Sequence, residues 1–230
     1  MAPKPAAGSA AGPVTDPLQP ALALIELASI AVGIETGDAM VKRAPVEVVC
    51  AGTIHPGKYL VLVAGHVGDV EEAFRAGLDV GASCLVDSVF LPNVHDQVVA
   101  ALRGARRAGT GEALGIVETA TVSATIEAAD AGVKGARVEL LELRLGDGLG
   151  GKGYLLFDGS VSDVEAAVAI AVERVSDGTG ADGSGAVPGA RSPIARVIPQ
   201  LHREMRAELE AAPRFGARLG AGGGSGGGEA

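Results

Sequence analysis

Apolar and polar positions follow a fixed order from residue 21 to residue 109, and the same order returns from 110 to 211. The unbroken apolar run Ala21–Leu27 predicts a strand, and Ile30, Ile34 and Val41 recur at helical spacing up to about Arg43. Two β-rich runs, Val46–Thr53 and Lys58–Ala64, flank Pro56-Gly57 and should pair antiparallel. Val70, Ala73, Phe74, Gly77 and Leu78 return to helical spacing, followed by a strand over Cys84–Leu91 and a short helix over Val94–Arg103. The second half predicts a strand at 113–118, a helix at 122–135, strands at 137–145 and 152–158 and a helix at 162–174. A strand at 193–198 and a helix at 200–211 complete it. This is an α+β layout, with helices covering a mostly antiparallel sheet in each half. Residues 1–20, rich in Ala, Pro and Gly, read as a flexible lead-in, 176–191 as a mobile insertion, and 212–230 as a disordered glycine-rich tail.

The two halves are copies. Leu22-Ala-Leu-Ile-Glu26 returns as Leu114-Gly-Ile-Val-Glu118, and Asp38-Ala-Met-Val-Lys42 as Asp130-Ala-Gly-Val-Lys134, each 92 residues on. Gly57-Lys58 and Gly151-Lys152 lie 94 apart, as do Glu71 and Glu165, so the loop before the second Gly-Lys has gained two residues. A last echo, Leu91-Pro-Asn-Val-His95 and Ile198-Pro-Gln-Leu-His202, stands at an offset of 107. One domain duplicated and fused accounts for the series. Such a pair is pseudo-symmetric, and copies of it can close into a ring.

Composition narrows the function classes. Hydrophobic residues make up 47% of the chain, but aromatics only 3% with no Trp, so the core is built from small aliphatic side chains. A net charge of −9 argues against a nucleic-acid partner. No apolar run approaches the roughly 20 residues of a membrane span, no export signal precedes residue 21, and a cytoplasmic protein is expected. Cys50 and Cys84 show no framework spacing and read as buried thiols.

Several motifs have plain structural readings. Gly146-Asp-Gly-Leu-Gly-Gly-Lys152 resembles a phosphate-binding loop, but Gly153 offers no hydroxyl and the segment leads into a strand instead of a helix. Asp69, Glu71, Asp163 and Glu165 belong in first helical turns, with Ser162 and Glu165 forming a capping box. Glu26 and Glu118 end strands, where backbone amides or hydroxyls such as Thr119 and Thr121 hold them, and no nucleophile–base constellation accompanies them. His66 suits a solvated turn, and His95 and His202 suit helix starts. His55 faces Asp147 across the repeat, in the one loop whose length changed, and the glycines there suit backbones crowding around an axis.

The duplicated Leu-x-x-x-Glu, Asp-Ala-x-x-Lys, Gly-Lys, Gly-x-Val-x-Asp-Val and Pro-x-x-His elements resemble the bacterial microcompartment shell domain in its tandem form. Glu35–Lys42, Thr53–Lys58, Gly115–Thr119 and Val197–Pro199 are similar to the branch found in propanediol-utilisation microcompartments. The resemblance implies two tandem ferredoxin-like domains, a first over 21–109 and a second over 110–211. It implies a non-enzymatic homotrimer forming a pseudohexagonal tile that meets other shell proteins edge to edge. Ile54, His55, Pro56 and Gly57, with Gly146, Asp147, Gly148 and Leu149, would surround a central pore for small polar metabolites. Lys42 and Lys134 would lie at the tile edge. Asn93 and Gln200 stand where single-domain members carry an edge arginine, which implies different edge contacts. Relatives of the propanediol type hold an iron–sulfur cluster through a pore cysteine. His55 takes that place here, so no cluster and no resident cofactor are expected. The rival reading is a metal-binding or electron-transfer component in which three copies of His55 hold an ion. A small-molecule-binding regulator with the same topology is a third reading.

Overall fold

The computed structural model describes residues 21–176 and 192–211. The first copy contains β1 (Ala21–Leu27), α1 (Ile30–Arg43), β2 (Val48–Ile54), β3 (Lys58–Gly65), α2 (Val67–Gly81), β4 (Leu85–Leu91) and α3 (Asp96–Leu102). The second contains β5 (Ala113–Thr119), α4 (Val122–Gly135), β6 (Glu139–Leu145), β7 (Gly153–Gly159), α5 (Val161–Ser176), β8 (Ile194–Pro199) and α6 (Arg203–Glu210). The expected lead-in, insertion and tail fall outside the described residues, apart from Ser176, which ends α5.

Each copy folds as a four-stranded sheet, ordered β2-β3-β1-β4 and β6-β7-β5-β8, with every neighbour antiparallel. Local chemistry sets the helix starts. The hydroxyls of Ser29 and Thr121 accept from the amides of Val32 and Ala124, capping α1 and α4 at equivalent positions. His95 and His202 cap α3 and α6 through Nδ1. The cap of α5 is Ser160, whose Oγ accepts from the Asp163 amide at 3.2 Å, and not the Ser162 box. Helix α5 begins at Val161, two residues earlier than a cap at Ser162 would place it. The thiols also differ from expectation. Cys50 is exposed because it lies on the edge strand β2, and Cys84 is only half-buried.

Alternation along β1 divides its side chains between two cores. Ala21, Ala23, Ile25 and Leu27 face α1 and α2, with Val61, Val63, Met40 and Phe74. Phe74 stacks on Phe90 at 5.8 Å between ring centroids. Layers this close need missing side chains. A Cβ at Gly132 of α4 would lie 2.3 Å from the Phe157 ring.

The other face of β1, with Leu22 and Leu24, joins Val89 and Leu91 of β4 in one cluster with Val122, Ile126, Ala129 and Val133 of α4. The first helix of the second copy therefore lies on the outer face of the first sheet. Polar groups lock this seam at both ends. Glu26 Oε2 accepts from the Val122 amide at 2.9 Å, filling an orphan donor at the α4 N-terminus, and Glu26 Oε1 takes Lys58 Nζ at 2.5 Å. Asp87 accepts from the Thr121 hydroxyl. At the far end, Asp130 accepts from the His95 amide at 2.8 Å, and Lys134 donates to the Asn93 carbonyl and to Asp130. The side chain of Gln97 on α3 completes the contact, donating to Val138 O and accepting from Leu140 N along the β6 edge.

Burial raises the Glu26 pKa above 4.5, outweighing the opposing pull of Lys58 and the Val122 amide. A carboxyl whose folded pKa exceeds its unfolded one binds more protons when folded, so stability falls as pH rises through that window and levels off above it. The melting temperature of the wild type minus that of Glu26→Gln is therefore expected to decline as pH rises from about 4.5 and then to flatten. A difference that climbs with pH would contradict this. Gly132→Val should cost about 1–3 kcal/mol by overpacking against Phe157, read as a lower denaturant midpoint.

Candidate pore loops and assembly faces

Two loops at matching ends of the sheets carry the residues expected at a pore. The β2–β3 connection is a tight turn through His55, Pro56 and Gly57, with a cis His55–Pro56 bond and Gly57 at φ 115°. The β6–β7 connection is longer and carries four glycines at positive φ, Gly146, Gly148, Gly150 and Gly151, a region closed to most side chains. It is pinned by Gly146 N donating to Lys152 O at 2.9 Å. Lys152 runs directly into β7, so the loop has no helix with which to cradle phosphate.

The structure brings these two loops together. A Cβ added at Gly151 would lie 3.2 Å from His55 O, and one at Gly146 would lie 2.8 Å from Ile54 Cδ1. His55, Pro56, Gly57, Asp147 and Gly148 are exposed, Ile54 and Leu149 are half-buried, and Gly146 is buried. Lys58 and Lys152, just beyond the loops, pair with Glu26 and Glu118 at 2.5 and 2.6 Å. Sequence reasoning missed these ion pairs, although the repeated Glu and Gly-Lys positions carried the signal. Among the described residues, no three His, Cys, Asp or Glu side chains gather as metal ligands, so one chain alone does not build a site at His55.

The expected edge residues fall into two sets. Lys134 and Asn93 meet in the seam between the copies, where the lysine binds the Asn93 carbonyl while keeping partial exposure. The Lys42 side chain is 72% exposed and pairs with Asp38, and Gln200 is exposed at a positive φ of 52°.

A larger asymmetry concerns whole faces. On α4, Val122 and Ile126 are fully buried and Val133 is 7% exposed. Their repeat equivalents on α1, Ile30, Ile34 and Val41, are 44%, 58% and 41% exposed. Glu26 is buried, whereas Glu118 is only half-buried beside Lys152. On β8, Ile194 and Ile198 are exposed, at the positions where β4 carries the seam residues Asp87 and Leu91.

The outer face of the second sheet also departs from its twin. By strand register, Glu142 replaces Cys50, Arg144 replaces Gly52, Tyr154 replaces Leu60 and Asp158 replaces Ala64. Asp158 holds the start of the second copy, accepting from the Thr110 and Gly111 amides at 2.9 and 2.5 Å and from Arg206 at 2.9 Å. Burial, then the Glu142 charge, pushes the Tyr154 hydroxyl pKa up.

Comparison with known proteins agrees with this geometry. The BMC domain model matches residues 21–94 and again 113–183. The bacterial microcompartment shell protein PduT of Citrobacter freundii is 43% identical over 157 residues, spanning 68% of this chain and 85% of the relative. A microcompartment protein of Desulfitobacterium hafniense DCB superposes with a TM-score of 0.66 at 37% identity, covering 81% of this chain and 98% of that one. With the domain present twice, and with relatives matched over most of their length, this chain belongs to the BMC-domain family as a tandem microcompartment shell protein.

Proposed function

We propose that the protein is a non-catalytic shell tile in which three copies close into a ring of six domains around a pore. One observation carries this reading: the α4 seam inside the chain is built from residues whose repeat equivalents are left exposed. Helix α1 presents Ile30, Ile34 and Val41, and the β5–β8 face presents Glu118, Ile194 and Ile198. Repeating the intrachain relation between copies lays α1 of one protomer on the β5–β8 face of the next, and a closed ring leaves neither face bare. Glu118 would then accept from the first amide of the neighbouring α1, as Glu26 does from Val122. The same operation gathers the two touching loops around the axis, with His55 and Asp147 among the lining residues of a passage for small polar metabolites. Lys42 would sit on the rim, free to engage other shell proteins. The relative PduT, named as a microcompartment shell protein, supports this class of function.

Metal binding at the axis would require three copies of His55, since no ligand set exists in one chain among the described residues. The metal-free pore is the reading adopted, because histidine also serves as a polar lining group without a metal. Elemental analysis of the purified trimer is expected to find no stoichiometric metal. Zinc bound by the wild type and lost in His55→Ala would replace the open pore with a metal site.

Sedimentation of the wild type should give three times the 22.8 kDa chain mass. Ile34→Glu is expected to yield a folded monomer, because its site is exposed in one chain and charge there blocks only the contact between copies. Ile126→Glu, at the buried equivalent, should impair folding itself, since an unpaired buried charge costs several kcal/mol. A trimeric Ile34→Glu protein would sink the ring. Lys42→Asp should keep the trimer and abolish extended sheets in electron micrographs. Lys42 is the cleaner probe, because Lys134 also holds the domain seam.

A further inference from the structure

We infer that the second copy carries a small-molecule site on its outer face that prefers a neutral, hydroxyl-bearing ligand of about five or six heavy atoms. The cavity is about 140 Å³ and lies between α6, the segment 106–109 and the sheet. A cavity of about 150 Å³ accommodates a six-carbon ring, which sets the ligand's size. Leu114, Leu141, Leu156, Leu201 and Leu209 supply apolar walls.

The polar lining decides the chemistry. Arg106 donates to Glu142 Oε2 at 3.0 Å and to Leu209 O and Ala211 O at 2.7 and 3.1 Å. Arg206 is taken up by Asp158 and by Gly111 O at 3.0 Å, and Arg107 by Glu139 at 2.6 Å. The guanidinium groups thus have internal partners and offer an anion little unclaimed capacity. Glu142 is 3% exposed, with the Tyr154 hydroxyl beside its carboxylate, and its buried Oε1 accepts no well-formed hydrogen bond among the described residues. Arg144 Nη1 stands 3.8 Å from it, in an ion pair too long for a hydrogen bond. A buried acceptor left open costs free energy, so the site is poised for a donor. The flanking guanidiniums of Arg106 and Arg144 already compensate the Glu142 charge and repel a second cation. An O–H donor on a short alkyl chain fits these conditions better than an ammonium or a carboxylate.

The repeat gives an internal control. The first copy has Cys50 at the Glu142 position, Ala64 at the Asp158 position and Val99 at the Arg206 position, so this constellation belongs to the second copy alone. The inference is independent of the ring, because every residue in it comes from one chain.

The test uses the full chain with leucine methyls labelled for NMR and titrates 1-butanol, n-butylamine and butyrate in turn. Butanol is expected to shift the methyls of Leu141, Leu156 and Leu209 saturably, with a Kd on the order of 1–100 mM for five heavy atoms. Butylamine and butyrate should bind at least about fivefold more weakly. Two variants should weaken butanol about tenfold or more: Glu142→Leu, which removes the acceptor, and Leu209→Phe, which fills the space from the helix while leaving Glu142 in place. No saturable shift with any probe would mean that water or another segment of the chain fills the cavity, and would overturn the proposal. Butyrate binding as well as butanol, or butanol binding unchanged in Leu209→Phe, would overturn it equally.

Discussion

The packing of α4 on the outer face of the first sheet is the contact on which the rest depends. Full burial of an aliphatic side chain contributes about 1.5–3 kcal/mol, and Val122, Ile126 and Val133 present such side chains along one stripe. Without this seam the two copies would be beads on a string, and the β2–β3 and β6–β7 loops would have no reason to touch. With it, each loop has a fixed neighbour, and a duplicated chain is left holding one used and one unused version of each face. Glu26 shows how strongly the seam is specified. A carboxylate is placed in the interior, against its own ionisation preference, to meet one backbone amide of the other copy. Removing its partners would leave a buried charge uncompensated, so domain docking and the Glu26 environment stand or fall together.

Small residues let the layers on both sides of α4 pack closely. With few aromatics, the layers approach until glycine is required, as at Gly132 over Phe157. Such packing leaves little internal space, and one cavity lies on the second sheet's outer face, where α6 and the connecting segment cover it with long side chains. The connecting segment must cross from one copy to the next there, and Asp158 is the anchor that fixes its end through two backbone amides. The polar row on that face is thus partly a consequence of fusion: a single domain has no such crossing to secure. Asp158 and Arg206 serve this structural purpose with satisfied hydrogen bonds. Glu142 Oε1 does not, which separates it from its neighbours.

Much of the fold was legible because the repeat let each half check the other. The α4 range 122–135 follows from the same spacing as α1, and the Gly146–Lys152 loop could be rejected as a phosphate loop from the strand that follows it. His95 and His202 were readable as helix caps because Pro precedes each by three residues. What the pattern could not supply were partnerships across long separations. Glu26 pairs with an amide 96 residues away, and no local rule selects Val122 over the nearby Thr121 hydroxyl. Thiol burial was misread for a related reason. A β-rich run around Cys50 predicts a strand but does not reveal whether that strand is central or at an edge. Ser160 and Ser162 both offer caps, and only the path of the chain leaving β7 decides between them.

The two versions of the seam are not chemically identical, and the differences bear on how the proposed ring would respond to its surroundings. Within the chain, Asp87 accepts from the Thr121 cap, and burial raises the pKa of both Asp87 and Glu26. At the equivalent place between copies, the register puts Ile194 opposite Glu118 where Asp87 stands opposite Glu26, and Ser29 takes the role of Thr121. A contact between protomers would therefore exchange one half-buried carboxylate for an isoleucine. Its apolar part would respond to temperature as hydrophobic burial does, and it would hold one fewer acid whose ionisation opposes burial. Acids with raised pKa values thus lie in the covalently linked seam, where the fused chain keeps the partners at hand, while a contact that had to find its partner by diffusion would rely more on shape and apolar area.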